Sequence, residues 1–331
     1  MVFLENIGSI ELEEGEYFIT INEKINTVFV SNKFSNSILV IDGTAKKIVN
    51  KIPIKSPQEI ILNPNNRILY AISGGAGFWM TDEGAKISII DTKTNQIIGS
   101  IGEKEGFGDI KLNPKTKLLY ATQTKSKKIW VIDAIANTVK EKIKVEGKYR
   151  SIAIDEINNK IYLAGRKGIW DKSSFAVIDG ENNDYQQIKS SILKSGNKIW
   201  ELYYNQINKK LYAFIEYITS GDGDHYLYIQ SLDLDSKSFE KNTESRSTLN
   251  GMGFDQSKNR FYFSDVIKGE FSILNDSLEE MGRFKFAESV RGFLANSSSI
   301  LDNSSKFAIN SELKLIYIAD SERDLLHIIK E

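Results

Sequence analysis

The chain has 331 residues, 41% of them hydrophobic and 26% charged, and its 43 basic and 44 acidic residues leave a formal net charge of −1. This balance gives no sign of the basic surface that nucleic-acid binding requires, and no run of about 20 apolar residues predicts a membrane span. The absence of cysteine excludes disulfides, thiolate nucleophiles and cysteine metal sites.

A hydrophobic–aromatic pair recurs seven times along the chain and predicts seven structural repeats. The aromatic positions are separated by 41, 50, 42, 50, 50 and 55 residues, and four strands joined by tight turns need about 40 to 45. The longer units are therefore expected to carry loop insertions. The pairs are Val28-Phe29, Leu69-Tyr70, Leu119-Tyr120, Ile161-Tyr162, Leu211-Tyr212, Phe261-Tyr262 and Ile316-Tyr317.

Each repeat predicts four short strands. The clearest copy, residues 109–145, has four hydrophobic runs separated by turn residues such as Asn113-Pro114 and Asp133-Ala134. An Asp at the end of a third strand, as in Ile41-Asp42 and Ile132-Asp133, can bond the backbone two residues on and so begin the next turn. The prediction is an all-β, seven-bladed β-propeller of four-stranded antiparallel blades, at about 15–54, 55–102, 105–146, 148–193, 197–243, 247–287 and 304–330 plus 5–12.

The N-terminal residues are predicted to complete the last blade. After the seventh pair only one strand, Leu325 to Ile329, remains, so this blade lacks its outer strand. Residues 7–12 repeat the Ile-Gly-Ser-Ile motif found at Ile98 to Ile101, the fourth strand of the second unit. Pairing of the two termini would hide two strand edges and make residues 1–331 a single domain. The residues after Met1 lack the basic start and apolar core of a signal peptide.

The repeat resembles the YVTN-type β-propeller repeat. The resemblance rests on Asn-Pro after the first strand and Leu-Tyr on the second, as in Asn63-Pro64 with Leu69-Tyr70, and it is close in the first four units and looser in the last three. It implies a seven-bladed propeller of a kind that serves as a binding scaffold, a surface protein or occasionally a lyase. It also favours an exported, extracellular or cell-surface protein slightly over a cytoplasmic one.

Function is expected on the loops that lengthen individual blades, because a rigid scaffold carries its specificity there. Three insertions between second and third strands, at 74–84, 165–172 and 219–226, and the connection 287–305 fall on one face, which we call the loop-rich face. Large aromatic residues could form a platform for a partner there, or could pack the loops onto the blades. These residues are Phe78, Trp79, Trp170 and Tyr226.

Metal and cofactor sites have little support in the sequence. Asp222, Asp224 and His225 stand close together and could offer oxygen ligands to calcium, but the pattern lacks the rest of an EF-type loop and suits a tight turn. The glycines at 74–77 fit no phosphate-binding motif. His327 is interpreted as an ordinary sheet residue. No cofactor and no metal are predicted.

Charged residues recur at the start of the first strands. Alignment of the units places Glu59, Asp109 and Glu201 at equivalent positions, with Arg150 and Arg291 next to such positions. A carboxylate pair there could perform acid–base chemistry or hold a cation. The simpler interpretation is that these are hydrated charges lining the axial opening.

Two functional hypotheses follow, with a third behind them. The first is a non-enzymatic, monomeric binding propeller whose loop-rich face meets a protein, peptide or glycan. The second is a lyase or hydrolase with its site at the axial channel mouth, against which stands the presence of only two histidines. The third is a structural surface-layer or adhesion module. Nucleic acid is not expected as a partner.

Overall fold

A computed structural model of the chain describes residues 3–74, 86–102, 106–123, 126–166, 173–188, 198–218, 225–234, 238–246, 251–265, 267–289 and 307–331. These residues form 28 β-strands and one turn of 3-10 helix, Glu23–Ile25. The strands assemble into seven four-stranded antiparallel sheets, which confirms the seven predicted blades. In the described part of the chain, no helix has the length and apolar character that crossing a membrane requires.

The strands of each blade follow one another in the chain, and only the seventh blade takes a strand from elsewhere. Blade 1 comprises β2 (Tyr17–Asn22), β3 (Thr27–Asn32), β4 (Ser37–Asp42) and β5 (Lys47–Pro53), and blade 2 comprises β6 (Ile60–Asn63), β7 (Ile68–Ser73), β8 (Lys86–Asp91) and β9 (Gln96–Ile101). Blade 3 comprises β10 (Phe107–Asn113), β11 (Leu118–Gln123), β12 (Lys128–Asp133) and β13 (Thr138–Lys144). Blade 4 comprises β14 (Tyr149–Asp155), β15 (Lys160–Arg166), β16 (Ser173–Asp179) and β17 (Tyr185–Ile188), and blade 5 comprises β18 (Lys198–Asn205), β19 (Lys210–Ile218), β20 (His225–Asp233) and β21 (Ser238–Arg246). Blade 6 comprises β22 (Gly251–Asp255), β23 (Arg260–Asp265), β24 (Glu270–Asn275) and β25 (Glu280–Lys285), and blade 7 comprises β26 (Phe307–Asn310), β27 (Leu315–Asp320), β28 (Leu325–Lys330) and β1 (Glu5–Glu11).

The turn from the first to the second strand has one design in all seven blades. Each is four residues long, and its last residue adopts the left-handed conformation with φ between 48° and 60°. The residue that ends the first strand commonly caps this turn, as Asn113 Oδ1 does by accepting the backbone N–H of Lys115 at 3.0 Å. The left-handed positions are Asn26, Arg67, Lys117, Asn159, Lys209, Asn259 and Lys314.

The third-strand markers also act as predicted. Asp42 Oδ1 accepts the backbone N–H of Thr44 at 2.9 Å, and Asp133 Oδ1 accepts that of Ile135 at 2.8 Å. These bonds to the residue two positions on confirm that the aspartates begin the turns to the outer strands.

The aromatic members of the seven repeat pairs lie in the core. All seven side chains are buried, from Phe29 to Tyr317. Burial raises the pKa of Tyr120 to about 12, and the Tyr317 hydroxyl donates to Asn26 Oδ1 at 2.9 Å. The repeat is therefore visible in the sequence because each blade needs a large side chain at the same place in its core.

The contacts of the chain divide into two compact units. Unit 1 contains Met1–Ser73, Ile90–Ile97 and Thr248–Glu331, and unit 2 contains Gly74–Ile89 and Ile98–Ser247. Within unit 1, Tyr17 and Leu39 of blade 1 share a buried cluster with Tyr317 and Leu326 of blade 7. Within unit 2, buried clusters join blade 3 to blade 4 and blade 4 to blade 5.

The N-terminal strand completes blade 7, as predicted. β1 pairs antiparallel with β28 from Glu5 opposite Lys330 to Glu11 opposite Leu325. Ile10 of β1 and Leu12 just beyond it are buried in the cluster that contains Leu326 and Ile328. The termini therefore contribute one continuous part of the core.

Candidate functional site

Four of the nine residues proposed for binding lie among the described side chains: Glu59, Asp109, Arg150 and Glu201. Phe78, Trp79, Trp170 and Arg291 lie outside the described residues, as do Asp222 and Asp224. His225 and Tyr226 open strand β20, but their side chains are also outside the described set.

The first strands of blades 3, 4 and 5 each begin with a β-bulge. In β10, Gly108 and Asp109 together face one residue of β11. In β14 the extra residue is Arg150, and in β18 it is Trp200. A bulge bends its strand and redirects the side chain it inserts. We call Gly108–Asp109, Arg150 and Trp200–Glu201 the bulge row.

The bulge row lies at the ends of these blades where second strands pass to third strands, because it sits at the start of the first strands of antiparallel meanders. The pairings of β2 with β3 and of β22 with β23, in contrast, run without a register shift. The bulges therefore distinguish blades 3 to 5 from blades 1 and 6.

The acidic members of the aligned set are buried, and the interpretation of them as hydrated lining charges is wrong. Glu59, Asp109 and Glu201 are only 9, 8 and 8% exposed. A buried carboxylate needs partners to offset lost hydration. For Glu201 one partner is the hydroxyl of Tyr203, which donates to Oε2 at 2.9 Å. In unit 1, the Gln58 N–H donates to the Ile72 carbonyl at 2.8 Å and the Ile72 N–H donates to the Glu59 carbonyl at 2.9 Å. Two consecutive residues therefore face Ile72, and the pairing just before β6 is irregular at Glu59.

Asp109 links two blades. Its Oδ2 accepts the backbone N–H of Ile152 in β14 at 2.8 Å, and its Oδ1 lies 3.0 Å from Lys111 Nζ. Its own N–H donates to Thr122 Oγ1 at 2.9 Å. The carboxylate therefore joins blade 3 to blade 4, and the Lys111 ammonium balances its charge.

Arg150 presents its charge to solvent. Its side chain is exposed, and no residue in the described ranges forms a hydrogen bond or ion pair with its guanidinium. Exposed Lys148, two residues earlier, is likewise unpaired within the described part of the chain. Exposed Glu146 offsets one of these charges, so residues 146–150 carry one net positive charge.

Trp200 is not among the residues that the sequence predicted for the site. It occupies in blade 5 the bulge position that Arg150 occupies in blade 4, and its side chain is half-buried. The signal that could have identified it is its place directly before the aligned residue Glu201, as Arg150 stands directly before Ser151.

The bulge at Arg150 depends on a glycine in the neighbouring strand. A Cβ atom on Gly165 would lie 2.1 Å from the carbonyl oxygen of Lys148 and 2.6 Å from Cα of Tyr149. Both are backbone atoms, so neither can turn away. Only glycine allows β15 to approach the start of β14 this closely.

We therefore expect Gly165→Ala to destabilise the protein by about 1–3 kcal/mol or more, because the added methyl must push β14 away from β15. Gly282→Ala is the matched control, since a Cβ there meets nothing within 4 Å, and it should change stability by about 0.5 kcal/mol or less. Urea unfolding of both variants measures the difference. Equal effects would show that the close approach imposes no constraint.

His327 is part of a buried charged network rather than an ordinary sheet residue. In unit 1, His327 Nε2 lies 3.1 Å from Asp320 Oδ2, and Arg323 Nη1 lies 2.7 Å from the same oxygen. Burial acts against the charged form of Asp320, but the bond to His327 and the Arg323 guanidinium outweigh it and lower the pKa of this carboxyl. No group of three or more His, Cys, Asp or Glu side chains within the described ranges could hold a metal ion.

Comparison with known proteins shows likeness at the level of the fold. No family model matches the chain, and no curated protein matches it. A solved structure of Kuenenia stuttgartiensis hydrazine synthase superposes with a TM-score of 0.72 at 14% identity, covering 96% of each chain. The Myceliophteria thermophila Cps50 (Swd1) β-propeller domain superposes with a TM-score of 0.69 at 12% identity, covering 99% of each chain. With seven four-stranded antiparallel blades and these likenesses, the chain has the fold of a seven-bladed β-propeller.

Proposed function

We propose that this protein is a non-enzymatic binding propeller that presents its loop-rich face to a protein, peptide or glycan partner. Propellers commonly serve as interaction scaffolds, but a fold by itself does not define a function. The proposal therefore depends on where this chain departs from its own repeat.

The observation that carries the proposal is the uneven length of the connections. All seven first-to-second-strand connections have four residues, such as 114–117 between β10 and β11. The second-to-third-strand connections range from four residues in blade 1 to six in blades 4 and 5 and twelve in blade 2. At the opposite end only one connection, 180–184 in blade 4, exceeds four residues, and it does so by one. Because ordering a longer loop costs conformational entropy, this concentration of extra length at one end favours a role for that end.

The position of the bulge row also favours the loop-rich face as the binding surface. The bulges lie at the second-to-third-strand end of blades 3 to 5, where the connections of blades 4 and 5 are lengthened to six residues. The local chemistry favours binding over acid–base catalysis, because Asp109 is committed to a backbone N–H and to Lys111. A general base must instead be able to reach a proton of the substrate.

The test is to select peptides from a random displayed library on the immobilised full chain and to map the bound peptide by hydrogen exchange. We expect protection at the starts of β10, β14 and β18. Replacement of Trp79 and Trp170 together by Ala should leave the melting temperature unchanged and weaken binding about 30-fold or more, because interface tryptophans commonly contribute about 2 kcal/mol or more.

The matched control is Ile157→Ala with Ile207→Ala, two aliphatic side chains that are 64 and 59% exposed on first-to-second-strand turns. This pair should bind like the wild type. Protection of those turns instead, or undiminished binding by the tryptophan double variant, would place the binding surface elsewhere.

A further inference from the structure

Building on the proposed function, we propose that the bulge row of blades 4 and 5 binds an acidic peptide segment. In this arrangement the guanidinium of Arg150 takes a carboxylate of the peptide, and the ring of Trp200 takes the apolar side chain beside it.

Arg150 is the main contact because its guanidinium forms no ion pair in the described ranges and its backbone lies at a β-bulge. It is the single residue inserted opposite the pair Gly165 and Ala164 in the β14–β15 ladder. The tight approach at Gly165 fixes this insertion by backbone contact. A guanidinium without an ion pair in the described ranges can offer its planar fork to a carboxylate without first breaking an internal bond.

Trp200 supplies a neighbouring apolar surface. β14 and β18 are the first strands of consecutive blades, and Ala153 and Leu202 from their middles share one buried cluster. Arg150 and Trp200 occupy equivalent positions in their strands. Each lies four residues before the residue that pairs with the first member of the repeat pair, Ile154 with Ile161 and Tyr204 with Leu211. Two adjacent strands thus offer a cation and a large aromatic ring at the same level.

The surrounding charges favour an anion. Asp109 is paired with Lys111, and Glu201 keeps its negative charge when it accepts the Tyr203 hydroxyl but is buried. Exposed Lys148 and exposed Glu146 carry opposite charges, so the net charge of residues 146–150 equals the single positive charge of Arg150. A peptide is favoured over an acidic glycan because Arg and Trp are among the side chains enriched at the energetically dominant positions of protein–protein interfaces.

The experiment uses the full chain and a fluorescein-labelled heptapeptide of sequence Ser-Glu-Leu-Glu-Phe-Glu-Ser, with a matched peptide in which Gln replaces each Glu. Fluorescence anisotropy should show binding of the acidic peptide that weakens as salt rises, and at least tenfold weaker binding of the Gln peptide. Arg150→Ala should weaken binding about tenfold or more, whereas Arg150→Lys should retain part of the affinity because it keeps the charge without the fork.

Two further variants separate a site from a general electrostatic effect. Lys148→Ala removes an exposed charge two residues away and should change the dissociation constant less than threefold. Trp200→Phe keeps an aromatic ring with less area and should weaken binding a few-fold without changing the melting temperature. Equal losses in Arg150→Ala and Lys148→Ala, or equal binding of both peptides, would overturn the inference.

The remaining outcomes are also decisive. Binding of an oligogalacturonate through Arg150, with none of the acidic peptide, would show that the site takes an acidic glycan and that the peptide assignment is wrong. If library-selected peptides protect the bulge row but bind Arg150→Ala unchanged, this inference fails and the proposed function stands. If no selected peptide protects that face, the proposed function itself fails.

Discussion

Deletion of residues 1–12 should lower the melting temperature by more than about 10 °C or prevent folding. Burial of Ile10 and Leu12 alone contributes about 3–6 kcal/mol, and the deletion also removes the partner of β28 from Leu325 to Lys330. In a large domain, each kcal/mol corresponds to about 2–4 °C. The exposed edge of β28 should also promote aggregation.

A truncation that begins at Leu4 is the control, because it keeps β1 and removes a Phe3 side chain that is 82% exposed. A synthetic peptide of residues 3–16, added in excess to the 1–12 deletion, should restore much of the lost stability. The same peptide with Ile10→Lys should not, because the lysine would enter the buried cluster. A deletion variant that melts with the wild type would show that β1 does not stabilise blade 7.

Asp320→Ala should destabilise the protein by about 3–5 kcal/mol, the usual cost of breaking a buried ion pair. Asp320 is fully buried, and the substitution leaves Arg323 and His327 without the carboxylate that faces both. It also removes the cap that accepts the backbone N–H of Glu322 at 2.9 Å. Urea unfolding at pH 7 measures the loss.

Asp42→Ala is the matched control because Asp42 caps a turn through the N–H groups of Thr44 and Ala45 but forms no ion pair in the described ranges. This substitution should lower the free energy of unfolding by about 1 kcal/mol. Equal losses in the two variants would mean that the network of Asp320, Arg323 and His327 adds nothing to the cap.

The contribution of the Asp320 charge should depend on pH in a defined direction. The folded pKa of Asp320 is lowered, so its stabilising effect is complete above the unfolded value of about 3.9 and is lost as pH falls through the folded value. The stability difference between the wild type and Asp320→Asn should therefore be constant near neutral pH and shrink below about pH 4. A difference that grows on acidification would contradict this assignment.

The fold was predictable because each blade repeats the same local constraints. Three features recur at fixed spacing in the sequence, as blade 3 illustrates. They are the residue that caps the four-residue turn (Asn113), the buried aromatic residue of the second strand (Tyr120) and the Asp that ends the third strand (Asp133). The pairing of β1 with β28 was predictable for a different reason, since the Ile-Gly-Ser-Ile motif recurs at an outer strand.

The site was less predictable because bulges have no fixed sequence signature. Alignment placed Asp109 and Glu201 correctly at the strand starts, but spacing alone could not show that both are buried and bonded. Nothing in the sequence distinguishes Trp200 from an aromatic residue that packs into the core. Its bulge becomes visible only when the register of β18 against β19 is known.

The strand exchange at blade 7 has a consequence for folding kinetics. Glu5 and Lys330 are paired although 325 positions separate them, so this ladder has a very high contact order. Loop-closure entropy opposes such a contact until the intervening blades have shortened the effective loop. During synthesis β1 is made before β28 and stays unpaired until β28 has been made. Joining of β1 to β28 is therefore expected to be a late step in folding, and stabilising substitutions in β1 should slow unfolding more than they accelerate folding.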